Sequence, residues 1–126
     1  MATNQELENI LKSMLYLFPE DAWTHGHYGN LELHRKNYHV AEKHLRQALT
    51  YRKEYPWVLF RLGTLYIEQR QWKPAIETFQ AGLKFEPHNS WAQQQLAAIY
   101  EMSGQIDKSI EAYQTLLNQK VRIPFL

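Results

Sequence analysis

The chain has 126 residues, of which 44% are hydrophobic and 21% charged, so it has the makeup of one folded domain and not of a disordered polyelectrolyte or a membrane-spanning protein. A net charge of +1 gives no global field for nucleic acid, and the lack of cysteine removes disulfides, thiol catalysis and thiolate metal sites. Five Gly and five Pro are too few for a many-turned β sandwich or a glycine-rich phosphate cradle.

The opening Met1-Ala2-Thr3-Asn4 lacks the basic and apolar segments of a secretory leader, and a cytoplasmic location is expected. Thr3-x-x-Glu6 reads as a capping box, and Leu7, Leu11, Met14 and Leu15 share one helical face before Pro19 ends it. The next segment brings Trp23, Tyr28 and Gly29, then a second apolar run at Ala41, Leu45, Ala48 and Leu49. The middle segment has Leu59, Leu62, Gly63 and Tyr66 on one helical face, a polar break at Gln69-Arg70-Gln71, and then Ala75, Ile76, Phe79, Gly82 and Leu83. Pro74 falls in the first turn of that second helix, where its missing N–H is harmless, and Pro87 lies just past its end. The last segment repeats the plan with Trp91, Leu96, Ala97 and Tyr100, a turn at Ser103-Gly104-Gln105, and Ser109, Ile110, Tyr113, Leu116 and Leu117.

These segments are in register. Trp23, Trp57 and Trp91 are spaced 34 residues apart, and the columns Tyr28/Leu62/Leu96, Gly29/Gly63/Ala97, Ala41/Ala75/Ser109 and Leu45/Phe79/Tyr113 recur at the same offset. The period and the middle unit, Leu59-x2-Leu62-Gly63-x2-Tyr66, Ala75-x3-Phe79, Pro87, resemble the tetratricopeptide repeat family, with Leu59 standing where the family favours Trp. The resemblance covers about residues 22–121. It implies an all-α solenoid, a right-handed superhelix of antiparallel helix pairs with about seven helices. Residues 1–21 read as a half repeat closing one end, followed by repeats at 22–55, 56–89 and 90–123 and a tail at 124–126. Small residues such as Gly29, Gly63, Ala41 and Ala75 suit close helix crossings, and Phe79 and Tyr113 are expected to fill the space between units. No covering helix follows Ile110, Tyr113, Leu116 and Leu117 in the sequence, so the tail, another chain or further sequence is needed over that face.

Catalytic chemistry is not apparent. Five of the six histidines fall in the first repeat, yet His25 and His27 point to different helix faces, and His27 and His34 lie about 10 Å apart by helix rise. No metal site or cofactor is therefore expected. No serine sits in a nucleophile elbow, and Ser90 and Ser103 fall at helix boundaries, so the chain reads as a non-enzyme. Charge varies along the chain: residues 1–21 hold one Lys against four acids (−3), whereas residues 22–55 hold six Lys/Arg against three acids (+3). A face with Lys43, Arg46, Arg52 and Lys53 could meet RNA, but a solvated outer helix is the preferred reading, and nucleic acid is disfavoured as a partner.

The resemblance implies that the first helix of each repeat lines a concave groove. Its columns hold Trp23, Gly26, Asn30, Leu33 and His34; then Trp57, Phe60, Thr64, Ile67 and Glu68; then Trp91, Gln94, Ala98, Glu101 and Met102, with His27, Arg61 and Gln95 flanking. The partner-binding candidates are Trp23, Asn30, His34, Trp57, Phe60, Arg61, Thr64, Glu68, Trp91, Gln94 and Met102. Trp and Tyr are common interface anchors, although each Trp could equally pack between neighbouring first helices. The columns that form a two-carboxylate clamp in one subclass hold Gly26, Asn30, Arg61, Trp91 and Gln95, of which Asn30 alone agrees. The expected function is a protein-interaction scaffold that receives a protein or peptide segment, with Trp57 and Phe60 partly exposed. Self-assembly as a homodimer through the C-terminal face is the second reading, and RNA binding the third. Small chaperones of secretion substrates in this family have a similar size and plan.

Overall fold

The computed structural model describes residues 1–122, which form seven α-helices and no strand. They are α1 (Asn4–Leu17), α2 (Ala22–His34), α3 (Tyr38–Tyr51), α4 (Pro56–Glu68), α5 (Trp72–Phe85), α6 (Ser90–Met102) and α7 (Ile106–Arg122). Ile123 and the expected tail at 124–126 lie outside the described residues.

Local sequence explains where each helix begins and turns. The Thr3 hydroxyl accepts from the Glu6 N–H at 3.1 Å, the Asp21 carboxylate from the Thr24 N–H at 3.0 Å, and the Asn89 side chain from the Ala92 N–H at 3.0 Å. Pro56 opens α4, where its missing N–H costs nothing. The turn inside each hairpin needs one residue in the left-handed region. Gly104 takes it with φ +85°, but Lys36 (φ 64°) and Arg70 (φ 57°) hold the same place in the first two repeats at a steric cost.

The helices pack in pairs, α2 on α3, α4 on α5 and α6 on α7, and each pair then packs on the next. One core runs through the stack, from Leu33, Ala41 and Leu45 through Val58, Leu62 and Tyr66 to Ala75, Phe79, Ala92 and Ile99. Its closest crossings need missing side chains. A Cβ on Gly63 would stand 2.5 Å from the Phe79 ring, and one on Gly29 would stand 2.8 Å from Leu45. Phe79 is fully buried as expected.

The two ends differ from the interior. In α1 only Leu11 is buried, and Leu7, in the column where Ala41 and Ala75 are 0% exposed, is 45% exposed, with no partner first helix against it among the described residues. At the other end Tyr113 does not fill a space between units: it is 40% exposed, and Ile106, Ile110 and Leu117 are exposed beside it. The column works as spacer only where a following first helix covers it, and none does so among the described residues.

Candidate functional site

Helices α2, α4 and α6 stand side by side and present two columns four residues apart, Trp23/His27, Trp57/Arg61 and Trp91/Gln95. Positions i and i+4 share a helix face, so each helix offers an aromatic ring and a nitrogen-bearing planar group as neighbours. The rings of successive helices meet. Trp23 lies 3.8 Å from His27 between centroids, and His27 stacks on Trp57 at 4.6 Å. The Arg61 guanidinium sits 5.7 Å from the Trp57 ring and 5.7 Å from that of Trp91. The result is one continuous column, Trp23–His27–Trp57–Arg61–Trp91, across three repeats. Gly26 makes room for it, since a Cβ there would meet Val58 at 3.0 Å and Trp57 at 3.4 Å.

The column is both joint and surface. Trp57 is half-buried against His27, whereas Trp23, Trp91 and Met102 are each at least 41% exposed. Burial depresses the pKa of His27, which favours the neutral ring at neutral pH. Burial likewise lowers the pKa of Arg61, whose Nε is enclosed with no hydrogen-bond acceptor.

The structure moves two predicted groove residues into the core, Leu33, which is 3% exposed, and Phe60. Phe60 does not face the groove: it is 4% exposed, packs on Phe79 at 5.6 Å and meets Trp91 edge-on at 6.1 Å. The cause is Gly82, where any Cβ would collide with the Phe60 ring. Repeat three has Leu116 in that column, so the absent side chain on α5 opens a slot that draws the ring into the core. The expectation that Phe60 is partly exposed is therefore corrected.

The other candidates divide by their partners. Asn30 and His34 line a cavity of about 340 Å³ with Leu7, Leu11, Trp23 and His27, between α1 and α2. There the His34 Nδ1–H donates to the Asn30 carbonyl at 2.8 Å, and Asn30 Oδ1 is buried without a donor. The Thr64 hydroxyl is committed to the carbonyl of Phe60 at 2.9 Å, one turn earlier. Glu68 accepts from Lys36 at 3.1 Å and from the Tyr38 hydroxyl at 3.0 Å, tying α4 to the preceding hairpin. Gln94 is exposed on α6. Glu68 and Met102 border a second cavity of about 350 Å³ with Ile67, Arg70 and Trp72. No serine or threonine hydroxyl bonds a histidine among the described residues. Aromatic area and planar hydrogen-bond donors are what this face offers.

Two arrangements were not legible in the sequence. The column favouring Trp in the family holds His25 in repeat one, 5% exposed, and its Nδ1 meets His44 Nδ1 at 3.0 Å. The Pro19 carbonyl, 2.7 Å away, can only accept, so His25 carries its proton on Nε2 and His44 donates across the pair. Burial, then His25 and Lys43, push His44 down to about 4. The two residues lie on different helices, so helical spacing gave no sign of them. The second arrangement concerns the basic face. Arg46 bonds Glu42 at 2.9 Å and also the Tyr66 hydroxyl, and Arg52 lies 4.3 Å over the Tyr55 ring. Lys43 and Lys53 are exposed there.

Sequence models of the tetratricopeptide repeat match residues 32–87 and 91–119. No curated protein matches the sequence significantly. Among solved structures, a crystal structure of MamA superposes with a TM-score of 0.89 at 19% identity, covering 98% of this chain and 72% of that one. Residues 41 to the end of MamA from Desulfovibrio magneticus RS-1 give 0.86 at 18% identity, covering 94% and 67%. Identity this low speaks for the fold alone.

Proposed function

The chain belongs to the tetratricopeptide repeat family, and from that premise we propose that it is an interaction scaffold receiving an extended or helical protein segment along α2, α4 and α6. The observation that carries this reading is the column Trp23–His27–Trp57–Arg61–Trp91, whose two outer indoles stay 49% and 41% exposed. Indole area left in water on a groove is what a partner's apolar side chains bury, and Trp and Arg dominate interface hot spots. Asn30, His34, Gln94 and Met102 border the column and supply polar and flexible contacts for the segment's backbone. Phe60 and Thr64 support the groove through packing and a hydrogen bond within α4, and the exposed Glu68 ties α4 to the preceding hairpin. The scaffold acts in the cytoplasm and does no chemistry of its own.

The test is affinity capture from native lysate with the wild-type chain and with Trp23→Ala/Trp91→Ala. Loss of such anchors costs about 2–4 kcal/mol of binding, roughly thirty- to a thousand-fold. The variant should melt lower, because the Trp91 ring also packs on Phe60 and Phe79, but it should remain folded at the capture temperature by far-UV circular dichroism. A variant that retains every captured protein at wild-type affinity refutes the groove, and an eluate of nucleic acid alone favours an RNA-binding module.

A second reading is favoured by the exposed row Ile106, Ile110, Tyr113 and Leu117 on α7. A two-fold pairing of that face would close as a dimer. Light scattering on wild type and on Tyr113→Glu/Leu117→Glu separates the cases: a wild type that is monomeric across the micromolar range removes it.

A further inference from the structure

Arg61 is the cation of the stacked column, between Trp57 and Trp91, and among the described residues no carboxylate answers its charge. Arg35 pairs with Glu8 and Glu32, and Arg46 with Glu42, each within 3.0 Å. Arg61 has no ion pair among the described residues, and its Nε–H is enclosed without an acceptor. The two indoles flanking it attract the charge, but their faces satisfy none of its five N–H donors with a strong acceptor. The acids on the same helix rows are already engaged: Glu68 by Lys36 and Tyr38, Glu101 by the Tyr113 hydroxyl. The equivalent position in the first repeat carries His27, which stacks between Trp23 and Trp57 without a guanidinium's permanent charge. A charge half-buried there, its Nε–H enclosed and with no counter-ion among the described residues, is a cost to the folded chain that a partner can offset.

We propose that the segment bound in the groove places an aspartate or glutamate side chain on Arg61, between Trp57 and Trp91. This rests on the groove reading above and names the chemistry of its occupant. A single guanidinium matches a single carboxylate, whereas a nucleic-acid backbone requires several cations along its path. The acid is internal to the segment and not its terminus, because the column continues on both sides of Arg61, to Trp23 in one direction and Trp91 in the other.

The test uses the full chain and a random dodecapeptide library displayed on phage. Recovered peptides are resynthesised with both ends blocked, and their Kd values measured for wild type, Arg61→Gln and Arg61→Lys. Indole N–H signals of Trp23, Trp57 and Trp91 report groove occupancy. The expected result is one fixed Asp or Glu whose change to Asn or Gln weakens binding about thirty-fold or more. Arg61→Gln should cause a similar loss, the two changes together no more than either alone, and Arg61→Lys a partial recovery. The Arg61→Gln protein should melt no lower than wild type, which a purely structural role for the guanidinium contradicts. If that variant fails to fold, the peptide-side change on the unaltered chain decides. Peptides that shift the three indoles yet tolerate loss of their acid overturn the carboxylate and leave the groove standing. A library without binders, or binders that leave those indoles unmoved, overturns both.

Discussion

Replacing Phe60 with alanine probes the joint between the second and third repeats. The ring is 4% exposed, 5.6 Å from Phe79 and 6.1 Å from Trp91 between centroids. Deleting a buried phenyl ring costs about 3–5 kcal/mol, as lost transfer energy plus the cavity left behind. Collapse into that cavity is hindered on two sides. Gly82 has no side chain to move in, and the Phe79 ring is already held against Gly63, where a Cβ would stand 2.5 Å away. The loss should therefore fall near the middle of the range or above, about 4 kcal/mol. Total stability for a domain is only about 5–15 kcal/mol, so the melting temperature should fall by roughly 10–20 °C. Urea unfolding followed by far-UV circular dichroism gives the free energy, and a thermal melt gives the shift. A loss below about 1.5 kcal/mol would refute the packing argument, since a ring in the groove is removed at little cost to stability.

Two further perturbations test local features. Arg70 holds φ 57° at a turn where Gly104 holds φ 85°, so Arg70→Gly should stabilise by about 0.5–1 kcal/mol, read as a raised urea midpoint; an unchanged or lowered midpoint refutes it. His44 has a folded pKa of about 4 against an unfolded value of 6.5, so between those values the unfolded chain binds the proton and the folded chain does not. Stability is thus fully present above pH 6.5 and is lost as pH falls toward 4, by at most about 3 kcal/mol and, at a half-buried ring screened by solvent, about 1–2 kcal/mol. Comparing unfolding free energies at about pH 7.5 and pH 4.5 for wild type and His44→Gln checks this, and equal pH dependence in the two proteins would sink it.

The repeat, the helix pairs and the close crossings were written in the sequence, because a period of 34 with small residues at Gly29, Gly63, Ala41 and Ala75 constrains every unit in the same way. The Trp column was also legible, since i and i+4 on one helix are neighbours whatever surrounds them. What tertiary structure decided were the places where units differ from one another. Phe60 turned into the core because Gly82, on another helix, left a slot there. His25 and His44 met across 19 residues of chain because α2 and α3 pack face to face. Tyr113 stayed exposed because its column acts as a spacer only under a following helix. Periodicity reports what each helix would bury in an average repeat. Which side chains are buried in this one depends on the volumes and charges that neighbouring repeats bring against them.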